Sequence, residues 1–266
     1  MSQRQIARTR CVPVARLGPA DREAMFALMA RYYSGVTREA FLRDLDEKQH
    51  VIRMLDGEGE LAGFSTIQVL HTTYEGRKVV TVFSGDTVID ERCWGQKKLQ
   101  RTFTAFLLRV RLRYPLRKVY WFLISKGYKT YLLMRNNLLM FPNHQGRTPA
   151  GAQAALHHVA TLKYPEAYDP QRGVIASCGA AVKDDAADLS PRDLEHPDIR
   201  FFCAQNPGWK RGDELCCLAD VQLYRLLLSA LKYSLIYPLL ALFGRGPRRR
   251  GARAQAVVGS RDGGTP

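Results

Sequence analysis

The stretch Val88-Ile-Asp-Glu-Arg-Cys-Trp-Gly-Gln-Lys-Lys-Leu99 decides the fold, because it joins a strand pattern to the pattern of a long helix. Residues 79–89 are typical of a strand, and residues 96–114 carry apolar side chains at helical spacing. Backbone N–H groups at the start of a helix have no partner within the helix and lie at the positive end of its dipole. A glycine at position 95 lets an anion approach these groups closely. The stretch therefore predicts an anion-binding turn between a strand and a helix, and the alternative is an ordinary turn with a solvated Lys97-Lys98 pair.

The segments on either side of this turn predict an α/β (α+β) domain. Helix patterns occupy residues 21–33 and begin again at Thr37, and both are followed by strand patterns at residues 50–55 and 60–70. Downstream, Lys118–Ser125 is an almost continuous apolar run, as in a central strand, and another helix pattern follows it. This order predicts a mixed, mostly antiparallel central sheet flanked by helices, with a C-terminal extension and an amphipathic helix.

The order of elements over residues 21–141 resembles the GNAT superfamily of acyl-CoA-dependent N-acyltransferases, and the resemblance covers a little under half of the chain. That family has an Arg/Gln-x-x-Gly-x-Gly/Ala loop before its long helix. Here Arg92-x-x-Gly95-x-Lys97 matches two of the three fixed positions. Lys97 stands where the family has a small residue, so two interpretations stay open. Either Lys97 itself contacts a phosphate, or the acyl donor is an acylated carrier protein.

The resemblance also implies a donor site. The co-substrate would be the thioester of acyl-CoA or of an acyl carrier protein, with no metal. A free backbone N–H of the strand, at Val88 or Ile89, would polarise the thioester carbonyl. The residues expected to bind the diphosphate are Arg92, Gly95, Gln96, Lys97, Lys98 and Arg101.

The base that accepts the proton of the amine is expected on the strand before the turn. Asp86 is the candidate, because simple strand alternation would place it on the same face as Ser84 and Val88. The alternative is that Asp86 is a turn or edge carboxylate that faces water. Both interpretations stay open at this point.

The acid that protonates the leaving thiolate is usually a tyrosine in this family, on the helix after the central strand. Tyr128 and Tyr131 lie on that helix here, whereas Asn136 stands nearest to the usual position.

Other enzyme classes lose support, because the sequence has no His-x4-Asp motif, no Gly-x4-Gly-Lys-Ser/Thr loop and no Gly-x-Ser-x-Gly elbow.

The C-terminal segment combines an apolar helix pattern with a run of arginines. From Leu226 to Phe243 only Lys232 is charged, and Gln222, Arg225 and Ser229 extend a narrow polar stripe from it at spacings of three and four. The arginines that follow are Arg245, Arg248, Arg249, Arg250 and Arg253. Three interpretations stay open: a helix lying in the interface of a membrane, a spanning helix, and a helix packed against protein.

These patterns divide the chain into an acyltransferase core at 1–142, a lid or extension packed on the core at 143–220, an amphipathic or membrane-associated helix at 221–244 and a basic disordered tail at 245–266. The N-terminus lacks the apolar run of a secretory signal, and the six cysteines form no Cys-x-x-Cys pair. We therefore expect a cytoplasmic protein, peripheral to the inner membrane.

The formal net charge of +15 favours partners that carry negative charge. The predicted function is transfer of an acyl group to a small-molecule amine at an anionic membrane surface, and branches of the superfamily that use long-chain acyl donors would suit this setting. The alternative is a non-catalytic module that binds membrane or nucleic acid through its basic C-terminal region. Nucleic acid is the less expected partner, since the arginine stripe on the long helix is typical of a solvated face. These arginines are Arg101, Arg109, Arg113 and Arg117.

Overall fold

The computed structural model describes residues 4–146, 151–176, 181–182, 189–237, 239 and 256–257. The first part of the chain contains two helices and five strands. These elements are β1 (Ile6–Pro13), α1 (Pro19–Tyr32), β2 (Tyr33–Ser34), α2 (Arg38–Asp46), β3 (His50–Asp56), β4 (Leu61–Tyr74) and β5 (Arg77–Ile89). Thr37 caps α2, because its hydroxyl accepts a hydrogen bond from Ala40 N–H at 3.2 Å. The hairpin between β3 and β4 is held by Asp56, whose carboxylate accepts from Glu58 and Glu60 N–H.

The second part of the chain adds five helices and the remaining strands among the described residues. These elements are α3 (Lys98–Arg113), β6 (Lys118–Ser125), α4 (Tyr128–Arg135), β7 (Leu139–Phe141), α5 (Ala152–Lys163), β8 (Tyr168–Asp169), β9 (Val174–Ile175), β10 (Ala181–Val182), α6 (Pro197–Gln205), β11 (Glu214–Asp220), α7 (Leu223–Leu231) and β12 (Ala256–Val257). A π-helical turn, Lys232–Ile236, continues α7 directly.

The central sheet has the strand order β1-β3-β4-β5-β6-β11-β9-β8. β5 and β6 pair in parallel, and the other neighbours in this order pair antiparallel. In addition, β7 pairs with β11, β12 pairs with β5, and β2 and β10 form a separate two-stranded sheet. The predicted fold class, a mixed and mostly antiparallel sheet flanked by helices, is therefore confirmed.

The sheet extends further along the chain than the sequence predicted. β11 lies beside β6 and all seven of its residues are buried, so residues 214–220 belong to the sheet and not to a lid or extension. The reason is charge pairing that a local pattern does not show. β11 begins and ends with carboxylates, and Lys126 Nζ lies 3.6 Å from Glu214 Oε1 while Lys118 Nζ lies 2.7 Å from Asp220 Oδ2. These lysines allow a strand with acidic ends to be buried.

Helices cover both faces of the sheet. We call the face under α3, α4, α6 and α7 the α3 side, and the opposite face, under α1, α2 and α5, the α5 side. On the α3 side one core cluster joins α3, α4, α6 and α7 to alternate residues of β6, and its members include Phe103, Trp121, Leu123, Tyr131, Phe202 and Leu226. On the α5 side the intervening residues of β6 pack against α5, and α1 and α2 pack on Phe64 and Val88.

A β-bulge in β5 reverses the alternation of side chains along that strand. Ile67 is paired with Ser84 and Ser65 with Thr87, so Gly85 and Asp86 together lie opposite a single residue of β4. An extra residue in one strand sends every later side chain to the other face. Asp86 therefore does not share a face with Ser84, as simple alternation predicted. It lies on the α5 side of the sheet.

Candidate functional site

A gap opens in the sheet where β5 and β6 diverge. Their parallel pairing runs from Val79 and Lys118 to Ser84 and Leu123, and it ends at the bulge. β5 continues to Ile89 on the other side of the bulge and stays paired with β4. Because bulges bend and twist the strand that contains them, the bulge accounts for the separation of β5 from β6. This gap connects the two faces of the sheet.

A cavity lies over the gap on the α3 side, between α3, α4 and α7. Its volume is about 60 Å³, which is smaller than most small-molecule sites, so a bound acyl chain would require the lining side chains to move apart. The lining is mostly apolar, with Leu99, Phe103 and Leu107 from α3, Leu133 from α4 and Leu226 from α7. Such a surface suits an apolar chain.

A few polar groups face this apolar cavity. The Gln100 side chain is buried, at 6% exposure, and no described residue donates a hydrogen bond to its Oε1. Ser84 Oγ accepts from Trp121 Nε1 at 3.0 Å, while the Ser65 and Thr87 hydroxyls lie 2.7 Å apart. A buried amide oxygen without a partner costs stability, so Gln100 Oε1 is available to accept a hydrogen bond from water or from a ligand.

The turn at the start of α3 presents free backbone donors. Gly95 has φ +83 in open space, a left-handed conformation that favours glycine. Trp94 Nε1 donates to the Ile89 carbonyl at 2.9 Å and so fixes the turn to the end of β5. Lys97, the N-cap residue of α3, makes no side-chain capping bond, so the first N–H groups of the helix have no side-chain acceptor at that position.

Several predicted diphosphate ligands are engaged elsewhere in the structure. Arg92 forms two bonds to the carboxylate of Asp90, at 2.9 and 2.6 Å, and this pairing raises the pKa of Arg92. The Gln96 side chain accepts from Ile6 N–H at 2.9 Å, and Lys98 Nζ donates to the Ile6 carbonyl. These three side chains hold the turn against Asp90 and β1, and their role in binding phosphate stays a prediction.

Other positive groups surround the turn. Lys232, on the π-helical turn after α7, is close enough for its charge to affect Lys97. Partial burial lowers the pKa of Lys97, and the Lys232 charge lowers it further. Arg101 lies one turn into α3 and is exposed. Like charges brought this close repel each other, and an anion between them would relieve the repulsion.

The edge of β5 past the bulge is paired with β12. Ala256 lies opposite Val88 and Val257 opposite Thr87, so β12 pairs with this edge at Val88, whereas Ile89, the other predicted position, lies beyond the pairing. β12 lies within the segment 245–266 that was expected to be disordered, and the rest of that segment lies outside the described residues. Ligand binding along this edge and pairing of β12 therefore exclude each other.

Asp86 is buried on the α5 side, at 2% exposure, so the alternative of a water-facing carboxylate is wrong. Burial raises the pKa of Asp86 well above its usual range. The nearby Asp44 carboxylate adds to this rise, and Lys48 opposes it. Asp86 therefore keeps its proton to a higher pH than an ordinary aspartic acid.

The tyrosines expected to act as acids do not face the cavity. Tyr131 is fully buried and donates to the Pro142 carbonyl at 3.2 Å, and Tyr128 is half-buried beside α6, where the Asp193 and Cys203 charges act on it. Asn136 is the exposed C-cap of α4. The residues of α4 and its following turn that line the cavity are instead Thr130, Leu133, Asn137 and Leu138.

Sequence reasoning missed Tyr233, the tyrosine that does line the cavity. Its hydroxyl donates to Asn137 Oδ1 at 3.0 Å, and burial raises its pKa. It lies on the helical turn after α7, four residues beyond Ser229, which lines the same cavity. Because positions four apart share a helix face, the polar stripe containing Ser229 was the signal that could have located Tyr233.

The polar stripe of α7 faces the protein and its apolar face points outward. Ser229 is buried at 5% exposure, and Gln222 and Arg225 are half-buried next to it. The large apolar side chains exposed on the outer face are Leu223, Tyr224, Leu227, Leu228, Leu231, Leu235, Ile236 and Leu239. The interpretation of α7 as packed against protein therefore holds for its inner face, while its outer face has no cover among the described residues.

Among the described residues, no group of three or more His, Cys, Asp or Glu side chains is arranged to hold a metal ion. Within the same residues, no helix combines the length and the apolar character needed to cross a membrane.

No protein-family model matches the sequence, and no curated protein matches it. Solved structures are similar to about half of the chain. A conserved protein of unknown function from Enterococcus faecalis, described as a probable N-acyltransferase, is 13% identical over 50% of this chain, with a TM-score of 0.39. The match spans only 33% of that protein's own length.

Two further similar structures contain CoA or acetyl-CoA. A GNAT family N-acetyltransferase from Escherichia coli, in complex with CoA, is 17% identical over 47% of this chain and 67% of its own, with a TM-score of 0.34. Arabidopsis thaliana NAA60, in complex with acetyl-CoA, is 15% identical over 48% of this chain and 82% of its own, with a TM-score of 0.37.

Proposed function

We propose that the protein is an acyltransferase that moves an acyl group from the thioester of acyl-CoA, or of an acylated carrier protein, to an amine. One observation carries the proposal: β5 and β6 diverge beside an apolar cavity, and the chain leaves β5 through a turn with free backbone donors at the start of α3. This arrangement offers an anion site, an apolar channel and an opening through the sheet within one region.

The donor would bind along the α3 side. The backbone N–H groups after Gly95 would hold the diphosphate, with Lys97, Arg101 and Lys232 adding positive charge. The apolar lining of the cavity would take the acyl chain, and the unpartnered Gln100 would bond to an amide of the donor. In this proposal Lys97, Arg101, Lys232 and Gln100 contact the acyl thioester, and Arg92, Gln96 and Lys98 do not.

Tyr233 is the acid that the arrangement supports. In the transfer the amine nitrogen forms a bond to the thioester carbon, the carbon–sulfur bond breaks, and the sulfur leaves as a thiolate. Tyr233, oriented by its bond to Asn137, would give its proton to that thiolate and regain one from water. The proton lost by the amine would pass to a carboxylate on the α5 side, where Asp86 lies.

The exposed apolar face of α7 supports the proposal that the protein binds an anionic membrane surface. Eight large apolar side chains are exposed there, from Leu223 to Leu239, and five arginines follow in the sequence between Arg245 and Arg253. A helix with an apolar face next to basic residues binds in the interface of an anionic bilayer. Because the inner face of α7 lines the cavity, an acyl chain from the bilayer would have a short path to it. We accordingly propose a cytoplasmic protein peripheral to the inner membrane.

Calorimetric titration with a series of acyl-CoAs of increasing chain length tests the donor site. We expect binding that strengthens with chain length, and transfer to amines detected by mass spectrometry. Replacing Lys97 and Lys232 by Gln should weaken binding by about tenfold or more, since charge-assisted bonds contribute about 1.5–3 kcal/mol each. No binding of any acyl-CoA or acylated carrier protein would overturn the proposal.

A non-catalytic module is the second candidate, and the engagement of Arg92, Gln96 and Lys98 with Asp90 and β1 favours it. This candidate predicts binding to anionic vesicles or nucleic acid without binding of thioesters. Vesicle flotation and a nucleic-acid shift assay, each with and without residues 221–266, separate the two.

The membrane surface has its own matched test in the same flotation assay. Leu227→Asp with Leu231→Asp should abolish binding to vesicles with anionic lipids, because both side chains lie on the exposed face of α7. Leu116→Asp is the control, since Leu116 is 99% exposed on a turn far along the chain from α7. Equal flotation of the two proteins would refute the membrane surface.

A further inference from the structure

Helix α7 and the π-helical turn after it form one wall of the cavity on the α3 side. Leu226 and Ser229 of α7 and Tyr233 of the turn line the cavity, together with Leu99 and Phe103 of α3. The same three residues attach α7 and the turn to the core, since they are buried at 1%, 5% and 7% exposure. Movement of α7 away from the core would therefore open the cavity.

The closed cavity is too small for the ligand that its lining suits. Its volume is about 60 Å³, whereas pockets that bind small molecules have volumes of about 300–1,000 Å³. An acyl chain needs the apolar lining, which the cavity has, and more room, which it lacks. Because protein interiors are closely packed and hardly compressible, a whole wall has to move to provide this room.

α7 is the wall with the weakest attachment to the core. Two of its nine residues are buried, whereas α3 buries seven of its sixteen. At the start of α7 the Gln222 side chain donates to the Asp220 carboxylate at 3.1 Å. Near its other end the Tyr233 hydroxyl donates to Asn137 Oδ1 at 3.0 Å. We call this second hydrogen bond the latch, because it joins the end of the helix to the turn after α4.

The latch lies where the helix changes its geometry. Residues Lys232–Ile236 form a π-helical turn, and such turns are rare, bend the helix and are frequent at functional sites. Lys232 is also close enough to Lys97, at the start of α3, for their like charges to act on each other. This repulsion weakens the attachment of the turn to α3. The end of α7 that carries the latch is therefore the end that can leave the core.

The outer face of α7 favours a bilayer as the partner that moves it. Leu227, Leu228 and Leu231 are 53%, 61% and 46% exposed on this face. Exposed apolar surface is unfavourable in water, and burial in the interface of a bilayer removes this cost. The arginines that follow α7 in the sequence complement anionic headgroups. An anionic bilayer therefore offers α7 a more favourable position than the one it has in water.

We propose that α7 and its π-helical turn form a lid over the cavity, and that insertion of the outer face into an anionic bilayer opens this lid. The inference rests on the proposed function, because the membrane surface and the acyl site both belong to it. Opening breaks the latch between Tyr233 and Asn137 and connects the cavity with the lipid. The donor admitted by this route is a thioester whose acyl chain is long enough to enter the bilayer. When the lid closes over the chain, the Tyr233 hydroxyl returns to the cavity.

Alkylation of a thiol in the lid tests the opening without any acyl donor. Ser229→Cys places a thiol of similar size on the buried face of α7, and Cys217 in β11, at 0% exposure, is the internal reference. The full-length variant is treated with N-ethylmaleimide in buffer, with phosphatidylcholine vesicles, and with vesicles that also contain phosphatidylglycerol. Mass spectrometry follows each thiol. We expect the anionic vesicles to accelerate alkylation at position 229 by about fivefold or more, because access follows the population of the open form, and neutral vesicles to have no effect.

Two results would overturn the lid. One is an alkylation rate at position 229 that anionic vesicles leave unchanged although the protein floats with them. The other is an equal acceleration at Cys217, because the fold as a whole would then have opened. Since Ser229→Cys could fail to fold, Leu226→Cys provides a second thiol on the same buried face, with the same expected result.

The latch is tested in the Ser229→Cys protein without vesicles. Asn137→Ala and Tyr233→Phe each remove the hydrogen bond and should raise the alkylation rate by about two- to tenfold, since one such bond contributes modestly to stability. Asn136→Ala is the matched control, because this neighbouring residue is the exposed C-cap of α4. Rates that stay at the control value in both variants would show that this contact does not hold the lid, and the proposal would fall.

The lid and the transferase function fail in different ways in these experiments. If anionic vesicles accelerate alkylation at position 229 while no acyl thioester binds, the lid stands and the transferase function falls. If acyl-CoA binds and alkylation ignores the vesicles and the latch variants, the lid falls and the donor site stands.

Discussion

Ser84 and Thr87 line the same cavity on the α3 side of the sheet although three positions separate them on β5. Regular alternation would place them on opposite faces, and the bulge at Gly85 and Asp86 brings them together. The same bulge ends the pairing with β6 and sends Asp86 to the α5 side. One extra residue thus separates β5 from β6, places Ser84 and Thr87 in the lining of the cavity, and buries Asp86 on the opposite face of the sheet.

The bulge depends on the absence of a side chain at position 85. A Cβ there would lie 2.5 Å from Thr66 Oγ1 and 3.1 Å from Lys48 Cε, so Gly85→Ala forces both to move. We expect a loss of about 1–3 kcal/mol in the free energy of unfolding, typical of overpacking. Chemical denaturation measures it. Gly57→Ala is the control, because nothing lies within 4 Å of its added Cβ; equal losses would mean that the space around Gly85 does not matter.

The turn at Gly95 should be needed for donor binding as well as for stability. Gly95 and Gly76 both have positive φ, +83 and +71, and both face open space. Alanine at either position should cost about 1 kcal/mol of unfolding free energy from backbone strain. Gly95→Ala alone should weaken acyl-CoA binding by about tenfold, because it tilts the N–H groups that receive the diphosphate. If calorimetry shows the same affinity for both variants, the turn is not the anion site.

Tyr233→Phe should slow acyl transfer without loss of donor binding. The substitution removes the hydroxyl that bonds to Asn137 Oδ1 and leaves the ring in the cavity wall. Loss of a general acid lowers kcat by about 100-fold or more. Steady-state kinetics with a soluble acyl-CoA measures the change, and Tyr224→Phe on the exposed face of α7 serves as the control. An unaltered kcat would remove Tyr233 from the chemistry.

The sequence predicted the structural features that depend on residues close together in the chain. Periodicity located the helices and the long strands of residues 21–135 and missed the short strands β2 and β7, and Gly95 marked the turn because its backbone conformation is a local property. The sequence did not show contacts between residues that are far apart in the chain. Gln96 and Lys98 were assigned to phosphate, but each is separated from Ile6 by about ninety positions in the chain and is bonded to it in the fold.

The positions of the buried carboxylates Asp86 and Glu214 also depend on residues that are far apart in the chain. Glu214 precedes a short apolar run and carried no signal in the sequence, and only the fold brings it close enough for its charge to act on Asp86. The bulge in β5 was not visible either, because Ser-Gly-Asp-Thr fits a regular strand as well as an interrupted one. Strand alternation assigned Asp86 to the wrong face because one inserted residue moves every later side chain to the other face.

Glu214 should make the protein less stable as pH rises through neutrality. Burial raises the pKa of Glu214 to about 7, against an ordinary value of 4.5, and Lys126 opposes the rise. Asp86 and Tyr33 also face the group from β5 and β2. Because the folded state holds this proton more tightly than the unfolded state, the stabilisation is complete below about pH 4.5 and is lost as pH rises to about 7 and above.

The size of this effect follows from the difference between the two pKa values. It amounts to about 3 kcal/mol of unfolding free energy, since one pKa unit corresponds to about 1.4 kcal/mol. Denaturant titrations from pH 4 to 8 measure it. Glu214→Gln should flatten the profile by about this amount, and Glu58→Gln in the exposed β3–β4 turn should leave it unchanged. Parallel profiles for wild type and Glu214→Gln would show that the carboxyl is not protonated in the fold.

Removing residues 245–266 should strengthen binding of soluble acyl-CoA, because β12 occupies the edge of β5 at Thr87 and Val88 that the donor would contact. The donor must displace this pairing in the full chain, and one or two backbone hydrogen bonds contribute about 0.5–1.5 kcal/mol each, so an affinity gain of about three- to tenfold is expected. Calorimetry without vesicles measures the gain. Replacing Arg245, Arg248, Arg249, Arg250 and Arg253 by Gln is the matched control, since it removes the charge and keeps β12. If the truncated protein binds no better than the full chain, β12 does not compete with the donor; if the Gln variant gains as much as the truncation, charge and not strand pairing is the cause.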